Sequence, residues 1–430
     1  MLRPLRSLPT PLTFTILSVV IILLCAIGLI TRLPSVASPP ITLSLLLPSP
    51  EIPMWKPLAQ KFEQRYPRSR LNLVEAPSSP DLLEDLSTAA FLLGDSPYDL
   101  VYMDVTWTPK FAAAGWLQDL SDRITAAELD EFLAADVAAG RYRGHLYRIP
   151  VRSDIGVLYY RRDLLQQAGY TPPQTFGELM QIGQTLQRQG QASWGYLWQG
   201  RQYEGAVAMF VEILHGFGGF WINPDNQEVG LDRPEAIQAV QFLVSTIDQQ
   251  LSPAGVITYR EEDGRYLFQA GEAVFLRSWP YVWALANKPD SPIQGKFDLV
   301  PMVHGPGATS GACKGGWGLG IARTTKHPEV AWQAVQFLTS ADSQRHIALF
   351  GGYMPTRTAL FTDAEIVAKY PHFPQLLAIA QNAVLRPLTP QYAQASDILQ
   401  RYLSAAFTKR LTPEQAMRSA ARETRQLIAQ

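Results

Sequence analysis

Chemistry in this chain would have to come from carboxylates and aromatic rings. Glu261, Glu262 and Asp263 stand side by side, and two carboxyls facing each other across a sugar are the equipment of a glycoside hydrolase. Spacing along a chain does not show such facing, and adjacent acids at a helix start are more simply partners of the helix macrodipole. No Gly-x-Ser-x-Gly elbow, His-Glu-x-x-His pair or phosphate-binding loop is present. The run GPGATSG, Gly305 to Gly311, is one residue off a dinucleotide fingerprint, but it does not join a strand directly to a helix and reads as a loop. His145, His215, His304, His327, His346 and His372 are scattered, none at ligand spacing from another. No catalytic residue, metal or cofactor is therefore expected.

A second set of residues suits binding without turnover. Open α/β sheets hold ligands at strand ends and in the loops that follow. Asp104 ends a strand and Trp107 follows it, with a helix N-cap as the plainer alternative for the acid. Glu51 lies in the loop after the first strand. Trp279, in Ser-Trp-Pro-Tyr, follows another strand, with Tyr281 as its companion. Tyr203 and Glu204 could line the same cleft, although a glutamate on a buried helix face is as readily structural. Carboxylates accept from hydroxyls and indoles cover apolar C–H faces, so the mixture suits a neutral polyol.

The elements that must position these residues follow from periodicity. Ile41, Leu43, Leu45 and Leu47 alternate as a strand. Trp55, Leu58, Ala59 and Phe62 mark a helix that Pro67 stops. Leu71–Val74 reads as a strand, Leu82–Leu93 as a helix and Leu100–Met103 as a strand buried on both faces. Strand, helix, strand, helix, strand is the signature of a parallel sheet. Further on, Val157–Tyr160 and Ala273–Leu276 read as strands. Thr175 with Glu178, and Thr258 with Glu261, form the pattern of capping boxes. Helices are expected from Pro234, from Pro328 up to Gly351-Gly352, and from Thr412 to the end. No fixed-period repeat argues for a solenoid.

The 430 residues suffice for two lobes with their own cores. A net charge of -1 leaves no basic footprint for nucleic acid. Arg3 and Arg6 precede an apolar stretch, Phe14 to Ile30, and Ser35-Val36-Ala37 offers a small-x-small cleavage site. Residues 1–37 read as a secretory signal, with an uncleaved membrane anchor as the alternative. Leu24 ahead of Cys25 argues against lipidation. Cys313 is then the one thiol of the exported body, without a disulfide partner.

Five stretches carry a resemblance: Tyr98–Leu120 (YDLVYMDVTWTPKFAAAGWLQDL), Ile149–Gly169, Tyr196–Leu214, Glu261–Leu285, and Gly315–Ala322 followed by Gly351–Arg357. In this order and spacing the chain resembles the extracellular solute-binding proteins of sugar ABC transporters, nearest their trehalose/maltose-binding branch, from Ile41 onward. Arg161 departs from the broad consensus asparagine but suits that branch. The resemblance implies an α/β, two-lobed periplasmic-binding-protein fold of class II-like type, with a hinge and an interlobe cleft. Lobe one would comprise 41–150 and 317–349, and lobe two 151–316 and 350–430. It implies sugar contacts for Asp104, for Asp154 in the first crossover, where Arg152 could be its salt partner rather than a ligand, and for Arg357 after Pro355. Gly316 and Trp317 sit at the second crossover, where Trp317 could stack on a sugar or pack. Glycine there lets backbone N–H groups approach a hydroxyl. The expected ligand is trehalose, maltose, sucrose or a glucosylglycerol-type solute. The expected partners are the permease subunits of an importer, met by a monomer at the extracytoplasmic face of the inner membrane or in the periplasm. An exported glycoside hydrolase, or a receptor for a non-sugar solute, stays as the alternative.

Overall fold

The computed structural model describes residues 39–94 and 96–429. The reading of residues 1–37 as an export segment lies outside them. Among the described residues no helix is long and apolar enough to cross a membrane. Residues Ile41–Gln430 form one unit, built on two sheets.

The first sheet starts with the βαβαβ run. Strand β1 (Ile41–Pro48) lies between β2 (Ser69–Ala76) and β3 (Leu100–Asp104), parallel to both. Helix Ile52–Arg65 buries Trp55, Leu58, Ala59 and Phe62 along one stripe, as the i, i+3, i+4, i+7 spacing requires. β3 is buried along its whole length, because layers cover both of its faces. A small hairpin, β4 (Arg141–Tyr142) and β5 (His145–Leu146), turns at Arg143 and Gly144. Both turn residues have positive φ, 49° and 85°, the two-residue turn that matches strand twist.

β6 (Ile149–Ile155) then enters the first sheet, and β7 (Val157–Tyr160) begins the second. β8 (Trp194–Leu197), β9 (Ala273–Ser278) and β10 (Asp298–Val300) complete the second sheet. β11 (Lys314–Ile321) and β12 (Met354–Pro355) return to the first. The strand orders are β12-β6-β11-β3-β1-β2 and β10-β7-β9-β8. The chain thus passes from the first sheet to the second at Gly156 and returns at Cys313, and β12 is its last strand.

Two clusters each serve one sheet, and a third, with Ile155, Met354, Tyr159 and Leu276, draws on both. Trp55, Phe62 and Phe111 anchor the first, and Tyr196, Trp198 and Phe210 the second. Helix Glu204–Gly216 is apolar nearly all round and runs through the second core. Its one buried acid, Glu212, sits under two of the crossings. It accepts from Arg277 Nε at 2.7 Å and Nη2 at 2.5 Å, and from the Cys313 N–H at 3.2 Å. A Cβ at Gly156 would lie 1.5 Å from its Oε1, so only glycine lets the chain cross there.

The Thr175–Glu178 capping box forms as expected, and Thr412 makes another with Gln415. The box expected at Thr258 and Glu261 does not form. Thr258 closes a 3-10 turn and its hydroxyl donates back to the Gly255 carbonyl at 2.8 Å. The helix starts at Glu261, and the Asp263 carboxylate accepts from the Arg260 N–H at 2.8 Å.

Candidate functional site

The candidate residues come from strand ends of both sheets. β11 pairs with β3 so that Trp317 lies opposite Asp104, and with β6 so that Gly315 lies opposite Asp154. Gly316 has φ +131°, and a Cβ on it would press to 2.8 Å from the Arg152 carbonyl, so this position requires glycine. Its own carbonyl accepts from the Val105 N–H at 3.1 Å. Trp317 stacks on Tyr102 at 4.8 Å and meets Trp107 edge-on at 5.3 Å.

One group of candidates gathers around Arg152. Its Nη2 donates to Glu51 at 2.7 Å, its Nη1 to Asp154 at 2.5 Å and its Nε to the Tyr102 hydroxyl at 2.9 Å. Its guanidinium also faces the Tyr353 ring at 4.7 Å and the Trp317 ring at 5.7 Å. Burial alone would lower this guanidinium, but Glu51, Tyr102 and Asp154 together outweigh burial and hold it well above its ordinary value. Asp154 is pushed up to about 6, chiefly by burial, against the pull of Arg152 and Lys314. Its Oδ1 is buried with no hydrogen-bond partner among the described residues. The expectation that Arg152 is the salt partner of Asp154 matches this geometry.

The second group gathers around Arg386, which the sequence reading missed. Its Nη2 donates to Asp104 at 3.0 Å and its Nη1 to Glu204 at 2.5 Å. Asp104 ends β3 of the first sheet, and Glu204 opens a helix of the second core. Glu204 also accepts from the hydroxyls of Tyr392 and Ser396. Asp104 accepts from the Thr106 N–H at 3.1 Å in a local turn, but the helix that follows starts at Thr108 with Trp107 at its N-cap and no side-chain cap, so the N-cap alternative does not form. Beside this bridge lies a cavity of ≈ 280 Å³, walled by Asp81, Glu84, Asp104, Trp107 and Lys110 on one side and by Glu204, Tyr392 and Ser396 on the other. Asp81 is pushed up to about 6 by burial and then by the Glu204 charge. A signal for Arg386 exists in retrospect: it is a lone charge in the apolar, proline-bearing run Val384-Leu385-Arg386-Pro387-Leu388.

Three more candidates form an aromatic edge held by the acids at the start of helix Glu261–Gln269. The Tyr203 hydroxyl donates to Glu261 at 2.8 Å, Trp279 Nε1 to Glu261 at 3.3 Å, and the Tyr281 hydroxyl to Glu262 at 2.7 Å. Tyr281 stacks on Tyr353, and the Arg277 guanidinium lies 4.2 Å over the Trp279 ring. Trp279 and Asp154 both come within 3.2 Å of a Cβ built on Gly315, so this edge adjoins the Arg152 group.

Arg357 stands apart from all of these. Its guanidinium pairs with Glu131, donates to the Thr339 carbonyl at 3.0 Å and covers the Phe132 ring at 4.3 Å. Among the described residues, no group of His, Cys, Asp and Glu is placed to hold a metal ion.

This two-sheet body with acids and rings between its halves has known counterparts. The profile of the bacterial extracellular solute-binding proteins matches residues 48–345. The chain belongs to that family. Members of this family capture solutes and are not enzymes. A probable ABC transporter-binding protein of Deinococcus radiodurans is 34% identical over 357 residues, covering 81% of this chain and 84% of that protein. A maltotriose-binding protein of Pyrococcus abyssi is 25% identical over 344 residues, covering 79% and 71%. Maltose-bound MalE3 of T. maritima is 36% identical with a TM-score of 0.85, covering 90% of this chain and 100% of that one. A ribitol complex from Agrobacterium radiobacter K84 is 25% identical with a TM-score of 0.81, covering 90% and 99%. The expected two-lobed fold of this solute-binding family is the one observed.

Proposed function

We propose that the chain is the solute-capturing subunit of an ABC sugar importer and holds a neutral sugar or polyol between its lobes. The observation that carries this reading is the Asp104–Arg386–Glu204 bridge beside a cavity walled from both halves. Hydroxyls exchange well with carboxylates and a guanidinium, and Trp107, Trp279 and Trp317 offer ring faces for C–H surfaces. The relatives and structural neighbours support the class, being named for maltotriose and found with maltose or ribitol.

In this reading Asp104, Glu204, Trp107, Trp279, Tyr203 and Tyr281 contact the ligand, and Arg386 replaces Arg357 as its arginine. Glu51, Asp154, Gly316 and Trp317 shape the other end. Closure of the two lobes about Gly156 and Cys313 traps the ligand and presents it, from a monomer, to a permease at the extracytoplasmic face of the membrane. Titration calorimetry of residues 39–430 against trehalose, maltose, sucrose, glucosylglycerol, glucose and ribitol tests this. Micromolar binding of at least one, recovered unchanged, is expected. Binding of none, or release of a cleaved product, would overturn it.

A further inference from the structure

From the same cleft, we infer that Arg152 is a built-in plug. It occupies the Glu51–Asp154 end of the site and restricts this chain to small ligands. These are a free polyol, one sugar ring or one ring with a short tail, in preference to a longer α-glucan. This inference rests on the sugar reading above and concerns its size limit.

Glu51 and Asp154 are the acids a second or third sugar ring would need at that end. Both are already engaged by one side chain. Arg152 spends an N–H on each of them and a third on Tyr102. Glu51 is engaged on its other oxygen too, accepting from Trp55 Nε1 at 3.3 Å and from the Tyr102 hydroxyl at 3.0 Å. Tyr353 and Trp317 close over the guanidinium, and Arg152 is only 7% exposed. A hydroxyl arriving there would have to displace a buried ion pair that is worth more than the hydrogen bonds it could offer, since losing one partner strands the charge of the other.

A cavity lies beside the Arg386 bridge. At ≈ 280 Å³ it falls just under the roughly 300–1,000 Å³ usual for pockets that enclose drug-sized ligands. That suits one ring better than three. At the plugged end the buried Asp154 Oδ1 has no hydrogen-bond partner among the described residues. It adjoins Gly315 and Trp279, where the end of a small ligand would reach it.

The test is calorimetry with ribitol, glucose, maltose and maltotriose on the wild type and on a Glu51→Gln, Arg152→Gln double variant, which removes the cation with one of its acids. The wild type is expected to bind its best small ligand at least tenfold more tightly than maltotriose. The double variant, checked for folding by circular dichroism, is expected to shift that ratio at least tenfold toward maltotriose. A wild type that binds maltotriose within threefold of its best small ligand overturns the plug, whether or not the variant folds. So does a folded variant with an unchanged ratio, even though the wild type still binds sugar. A wild type that binds none of the four, and none of trehalose, sucrose and glucosylglycerol, removes the sugar reading and the plug with it.

Discussion

Arg152 and Arg386 are each buried between two carboxylates, yet only Arg386 spans the lobes. Arg152 joins Glu51, in the turn that follows β1, to Asp154, on β6, so both partners are carried by strands of the first sheet. Arg386 joins Asp104 of that sheet to Glu204 of the second core. A guanidinium whose partners share one sheet is part of a rigid wall. The same group with a partner on each side of a cleft is made or broken as the cleft moves. The residue types are alike, and topology decides the role.

The largest expected difference is in stability. Arg152→Met strands Glu51 and Asp154 in a buried site, and breaking such a network costs about 3–5 kcal/mol. Arg386→Met leaves acids that border an open cavity and can rehydrate there, so about 1–2 kcal/mol is expected. Urea unfolding of both variants measures this. Equal losses would erase the distinction between wall and bridge. Ligand affinity should reverse the order: Arg386→Ala should weaken whichever sugar binds by about 30-fold, the worth of a charge-assisted hydrogen bond of about 2 kcal/mol. Arg386→Lys should fall between, because an ammonium lacks the planar fork that reaches two acids at once. Calorimetry that finds Arg386→Ala within twofold of wild type would remove Arg386 from the site.

Asp81 sharpens the comparison from the cavity side. It belongs to the first turn of helix Pro80–Leu92 in the first lobe and interacts with the N–H and the charge of Glu204 in the second. Its folded pKa, about 6, lies above the ordinary 3.8, so the folded state holds the proton more tightly and acid favours folding. The contribution is fully present below about pH 4 and is lost as pH rises through about 6. Asp81→Asn should therefore raise stability by about 1–2 kcal/mol at pH 7.5, discounted for its partial exposure. At pH 4 it should have almost no effect. Urea midpoints at the two pH values measure this, and an equal gain at both would mean the acid is not perturbed.

The βαβαβ half was legible because its strands and helices keep clean periods, as with Trp55, Leu58, Ala59 and Phe62. Helix Glu204–Gly216 offered no stripe to read, since neighbours surround it. Asp104 and Glu204 could be found because strand ends and helix starts are where α/β sheets keep polar groups. Arg386 could not, because its partners lie 282 and 182 residues away and no local pattern links them. Thr258 misled for the opposite reason: its local pattern is that of a cap, but its hydroxyl is engaged by the preceding turn.

Arg357 gives the smallest expected effect and the sharpest contrast with Arg386. Arg386 precedes a proline and Arg357 follows one by two residues, and the sequence reading picked out only Arg357. Arg357 makes its ion pair with Glu131, whose side chain is 60% exposed. A pair with one partner so hydrated contributes about 0–1 kcal/mol, and neither residue touches the candidate cluster. Arg357→Gln should leave sugar affinity within twofold of wild type by calorimetry, while its lost contacts to the Thr339 carbonyl and the Phe132 ring lower the urea midpoint slightly. A tenfold loss of affinity would return Arg357 to the site and show that the lobes rearrange around it when the ligand binds.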